Sequence, residues 1–154
     1  MAALMAAMAC VATMVIKIPI PATGGYINLG DCIVLLSGII LGPVYGGIAA
    51  GLGSALADLL GGYVAFAPAT FIIKGLMAAV AYYGFVISGK SLSPLAARAI
   101  SGVGAELLMV AGYLAYESML YGFSASLVNV LPNCIQGLAG LAIGIMLIKA
   151  TEKR

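Results

Sequence analysis

Histidine and tryptophan are absent from this chain, and only 8% of its 154 residues are charged. Without histidine, the commonest general base, neither a Ser-His nor a Cys-His nucleophilic pair can be assembled. Cys10, Cys32 and Cys134 stand singly in apolar runs. They form no Cys-x-x-Cys and no metal-ligand spacing, and they read as small core residues. Soluble domains carry about 25% charged residues, so the deficit excludes an ordinary cytosolic globular protein. A dispersed net charge of +2 gives no footprint for nucleic acid. The segment GLGSALAD lacks the Lys-Ser/Thr pair of a Walker loop, and HExxH, GxSxG and a Rossmann context are missing. No catalytic residue, metal site or cofactor is expected.

What remains is apolar: 64% hydrophobic residues and a mean hydropathy of +1.18. The runs are long and unbroken, unlike the short alternating segments of a β-barrel. The expected fold is an all-α polytopic membrane protein, a compact bundle of six transmembrane helices in one membrane-embedded domain, residues 1–154.

The first helix is predicted over 2–17, with Pro19 and Pro21 ending it. It has no basic leader and runs on toward another apolar segment, so it reads as a span and not as a secretory signal. The loop PIPATGGYINLGD follows, irregular by its Pro, Gly and Asn content. A second helix over 28–41 is short for a span of about 20 residues. GPVYGG, at 42–47, is expected to turn the chain tightly into a third helix over 44–60. There Gly47, Ala50, Ser54, Ala57 and Gly61 recur at three- and four-residue steps, a stripe that lets helices pack closely in lipid. The loop GGYVAFAPAT leads to a fourth helix over 70–87. SGKSLSP links it to a fifth over 94–120, opened by Pro94, and YGFSAS precedes a sixth over 127–149.

Basic residues set the orientation. Lys149, Lys153 and Arg154 lie at one end of the chain, and Lys90 and Arg98 flank the fourth link. With six spans these fall on one side, which places both termini in the cytoplasm and the three irregular loops outside. Lys17 alone dissents.

Intramembrane polar residues share faces. Glu106, Tyr113 and Glu117 are spaced by seven and four, and Asn129, Asn133 and Gln136 by four and three. Asp58 and Lys74 lie near the outer ends of their helices. One reading is pairing that glues helices together, for example Asp58 with Lys74. A charge at mid-membrane costs about 2.5–3.5 kcal/mol, however, and a whole set at one depth points to the wall of an outward-facing pocket. Tyr26, Tyr63 and Phe66 in the loops are placed to stack on a flat heteroaromatic ligand. Pro132, between Asn129 and Asn133, is expected to kink the sixth helix. The alternative is a stand-alone channel or ion-coupled carrier relaying ions through Glu106, Asp58 and Lys74. An intramembrane enzyme is disfavoured: Glu106 and Glu117 stand eleven residues apart, about 16 Å along a helix.

The runs YINLGD, LLSGIILGPVYGGIAAGLGSALADLLGGY and APATFIIKG resemble the S components of energy-coupling factor (ECF) vitamin transporters. The similarity covers nearly the whole chain and is closest to the riboflavin-type branch, which includes carriers of pyridoxine-like and hydroxymethylpyrimidine-like compounds. It implies a prokaryotic plasma-membrane subunit that captures a vitamin at the outer face. Such a subunit docks on a transmembrane coupling protein driven by two ABC-type ATPases and topples to release its ligand inward. An Ala-x-x-x-Ala docking pattern carries over to Ala3 and Ala7, with Ala2 and Ala6 in a second register. The family's ligand sites carry over to Tyr26 and Asn28 of the first outer loop, and to Lys74, Tyr113, Glu117, Asn129, Asn133 and Gln136. Tyr63 joins them from its own loop. The resemblance leaves open which vitamin is bound; pyridoxine, hydroxymethylpyrimidine and riboflavin are the expected types.

Overall fold

The computed structural model describes residues 1–20 and 25–152. Pro21, Ala22, Thr23 and Gly24 of the first loop, and Lys153 and Arg154 of the basic tail, lie outside the described residues. Helix α1 spans Ala2–Val15, α2 Asp31–Leu60, α3 Ala67–Ser88, α4 Pro94–Tyr121, α5 Phe123–Ser126 and α6 Val130–Glu152. Prolines open α3 and α4 in their first turns, where a missing N–H leaves nothing unsatisfied. Ser93 caps α4 by accepting from the Ala96 N–H at 3.4 Å.

The loop after α1 is more regular than its composition suggests. Strand β1, Lys17–Ile20, pairs antiparallel with β2, Gly25–Asn28, with Lys17 opposite Asn28 and Ile20 opposite Gly25. Ile18, Ile20 and Ile27 supply β-branched residues, and both strands of a two-stranded sheet are edges, which tolerate the donorless nitrogen of Pro19.

The helices expected at 28–41 and 44–60 are the two halves of α2. Gly42 alone leaves helical geometry, with φ 79° and ψ 179°, a conformation open to glycine and closed to most residues. The turn expected across 42–47 is thus confined to one residue, because Pro43 can start a new helical turn at once. The chain reverses there. A Cβ on Gly46 would lie 2.4 Å from the Ser37 carbonyl oxygen, whereas nine residues of straight helix would separate them by about 13 Å. Pro132 makes no kink: it stands in the first turn of α6, after a 3-10 turn at Leu127–Asn129, where an N–H has no helical partner to lose.

Glycine brings the backbones together. A Cβ on Gly53 would lie 2.2 Å from the Ala6 carbonyl oxygen in α1, and one on Gly38 would lie 2.2 Å from that of Ala78 in α3. Of the small-residue stripe, Gly47, Ala50, Ser54 and Ala57 are buried and Gly61 is exposed. One core cluster joins α2, α3 and α4 around Val34, Met77 and Met109, and a second joins α1, α2 and α6 around Met5, Ile33 and Ile148.

Leu52, Leu76, Leu107, Leu131 and Leu138 are exposed, while Asp31, Asp58, Lys74, Glu106, Glu117 and Gln136 are buried. That inverts the pattern of a protein folded in water and suits a lipid surround, in which ionisable groups face the bundle interior. Asp31–Leu60, Ala67–Ser88, Pro94–Tyr121 and Phe123–Ala150 are long and apolar enough to cross a membrane; α1, with 14 residues, is shorter.

Candidate functional site

The buried polar groups converge at the hairpin end of the bundle. Asn28 closes β2, and its Oδ1 accepts from the Gly30 N–H at 2.8 Å, a local turn that asparagine favours. The turn delivers Asp31 to the first turn of α2, where the helix start favours negative charge. Lys74 of α3 donates to Asp31 Oδ1, and both side chains are buried. Gln136 of α6 donates to Asp31 Oδ2 at 2.6 Å and accepts at Oε1 from the Asn28 backbone N–H at 2.9 Å. The hairpin, α2, α3 and α6 are thereby tied at one point.

Asp58 does not pair with Lys74, as the sequence alone suggested. It accepts from the Tyr26 hydroxyl instead. Burial first, and then the neighbouring Asp58, push the Tyr26 phenol well above its ordinary range, so Tyr26 is the donor. Lys17 Nζ donates to the Ala57 carbonyl at 3.3 Å and lies 4.8 Å and 5.4 Å from the ring centres of Tyr26 and Tyr63. These contacts latch the hairpin onto the end of α2. On the opposite wall Asn129 Nδ2 donates to Glu117 Oε1 at 2.7 Å. The Tyr113 and Thr70 hydroxyls bond at 3.1 Å, and the Tyr113 ring centre is 5.5 Å from Lys74 Nζ.

Between these groups lies a cavity of about 30 Å³, space for a water or two. Tyr26, Asn28, Lys74, Tyr113, Glu117, Asn129, Asn133 and Gln136, all singled out from the sequence, line it. Tyr63 does not line it but packs behind Tyr26, ring centres 4.4 Å apart. Thr13, Ser54 and Thr70 also line it and were missed. Thr13 is a hydroxyl in an otherwise apolar helix and Ser54 counted only as a small packing residue, so composition gave no reason to single them out. Asp31 was also missed as the partner that holds Lys74. Glu106 lies away from the cavity: a Cβ on Gly137 would stand 3.0 Å from its Oε2, and neither carboxylate oxygen has a hydrogen-bond partner. Among the described residues no group of three His, Cys, Asp or Glu side chains could hold a metal ion.

A family model for the S component of the ECF-type riboflavin transporter matches residues 1–153. The chain belongs to that S component family. It is also similar to an uncharacterised protein in the gap 3' region of Pyrococcus woesei, 34% identical over 142 residues and covering 87% of each chain. An S component is the vitamin-binding subunit of a transporter and not an enzyme, it works with an energising module, and it is a multi-pass protein of a prokaryotic plasma membrane. In this S component α1 presents two alanine registers differently. Ala3 and Ala7 are exposed beside Leu4, Met8 and Val11, whereas Ala2 and Ala6 pack against the cluster of Met5, Ile33 and Ile148.

Proposed function

We propose that this S component captures a water-soluble vitamin or precursor of the pyridoxine, hydroxymethylpyrimidine or riboflavin type in the cavity beneath the hairpin, at the outer face. The observation that carries the reading is the convergence of polar side chains from the hairpin and five helices on one buried site. Tyr26, Phe66 and Tyr113 give it aromatic walls, and the amides and carboxylates give it directional contacts, the usual composition of a small-molecule site. Such sites occupy roughly 300 Å³ or more, so the ligand is admitted when the hairpin lifts from Asp58 and Ala57. Residues 1–154 act as one domain with six crossings, of which α2 supplies two, and both termini are cytoplasmic. Delivery inward follows docking, through the Ala3 and Ala7 face, on a transmembrane coupling protein driven by two ABC-type ATPases.

The test is mass spectrometry of small molecules released by denaturing the detergent-purified protein. A stoichiometric vitamin is expected. Asn133→Ala and Glu117→Ala should each weaken its binding about tenfold or more, the worth of a lost hydrogen bond to a buried group. Unchanged affinity in both variants would remove these residues from the site. A protein that releases nothing, and that transports without ATPase partners, would sink the reading in favour of a stand-alone carrier.

A further inference from the structure

Two carboxylate oxygens on the cavity wall have no hydrogen-bond donor. Asp58 and Glu117 both line the cavity and are 3% and 2% exposed. Each has one oxygen engaged, by Tyr26 and Asn129 respectively, while Asp58 Oδ2 and Glu117 Oε2 have no donor. Lys74, Gln136 and Asn28 are already committed, and the unpartnered Thr13 and Ser54 hydroxyls on the lining are neutral donors only. Lys74, the cation on the lining, donates to Asp31. The Gln136 amide is spent on Asp31 and Asn28, and the Asn28 side chain bonds Gln136 and the Gly30 N–H. Lys17 lies outside the lining, behind the Tyr26 ring, and serves the Ala57 carbonyl.

A buried carboxylate oxygen without a donor keeps its full desolvation penalty. A ligand relieves it by bringing N–H or O–H groups, and relieves it most when the donor is cationic, because the opposite charges then also attract across a buried, weakly screened site. An anionic ligand meets the opposite situation: two carboxylates and a lysine already neutralised by its partner. That is discrimination by repulsion as well as by attraction.

We propose that the substrate is a small heteroaromatic base carrying a protonated aminomethyl group, received between Asp58 and Glu117, and that phosphorylated forms of the same ring are rejected. The inference rests on the cavity being the vitamin site.

Isothermal titration of the purified protein at neutral pH tests it with congeners that differ in one substituent: pyridoxamine, pyridoxine and pyridoxamine 5'-phosphate, and the 5-aminomethyl and 5-hydroxymethyl forms of 4-amino-2-methylpyrimidine. In at least one ring series the amine should bind about tenfold or more tightly than the alcohol, and the phosphate ester should give no binding heat. In Glu117→Gln and Asp58→Asn, each checked for monodisperse elution, the ratio of amine to alcohol affinity should fall toward one. Equal or tighter binding of the alcohol, comparable binding of the phosphate ester, or no binding by any of the five overturns the proposal. Release of an amine-free vitamin from the denatured protein would overturn it too, yet leave the vitamin-binding reading standing. No released molecule and no titration signal would count against both.

Discussion

At the scale of residues, the Asp31–Lys74 pair decides most. Both side chains are buried, at 0% and 2% exposure, and each charge is tolerable only because the other is present. The start of α2 and the Gln136 amide contribute further stabilisation of the carboxylate. Removing one partner of a buried pair costs about 3–5 kcal/mol, since it strands the other charge, whereas removing both is often near neutral. Lys74→Met alone should therefore lower thermal stability in detergent by that amount. Lys74→Met with Asp31→Asn should recover most of the loss. Equal destabilisation by the single and double variants would mean that packing around Lys74, and not its charge, holds the site. The charges were visible in the sequence as few and costly, but their pairing was not. Asp58 is sixteen residues from Lys74 and Asp31 forty-three, and nothing in spacing says that the more distant carboxylate wins. That choice is made by the turn at Asn28, which places Asp31 beside α3 and α6.

At the scale of elements, apolar runs punctuated by proline and glycine made the long helices legible to within a few residues. Two features escaped. The hairpin did, because strands of four residues with a proline in one carry too little pattern to register against a Gly-rich loop. The sharpness of the reversal in α2 did as well, because GPVYGG offers several glycines and only Gly42 takes a positive φ. The two roles of glycine in α2 can be separated. Gly42→Ala meets nothing closer than Tyr82 at 4.0 Å, so its cost is backbone strain alone, about 1–3 kcal/mol. Gly53→Ala drives a Cβ to 2.2 Å from the Ala6 carbonyl oxygen, and backbone cannot yield as a side chain can. It should separate α1 from α2 and cost about as much as severe overpacking, 3 kcal/mol or more. Melting of the two variants in the same detergent checks the order, and a Gly42→Ala loss exceeding that of Gly53→Ala would contradict it.

At the scale of the whole molecule, the outer surface of α1 is where binding and transport should come apart. The two alanine registers are equivalent in sequence but not in space. Ala2 and Ala6 support the bundle, and Ala3 and Ala7 leave a shallow exposed strip flanked by Leu4, Met8 and Val11. The cavity is reached through other elements: of its lining residues only Thr13 belongs to α1. Bulky side chains at Ala3 and Ala7 should thus prevent a second helix from approaching closely without touching the site. With Ala3→Leu and Ala7→Leu together, vitamin affinity measured by titration should stay unchanged, while uptake by cells that carry the energising module should fall to background. Ala6→Leu sets the reference, because that register packs against α2 and the change should cost stability and binding alike. If uptake survives the Ala3 and Ala7 changes, the coupling protein docks on another face, and the exposed strip of α1 is an ordinary lipid contact. If binding is lost with uptake, α1 is holding the cavity in shape through Thr13, and the separation of capture from transport fails at this helix.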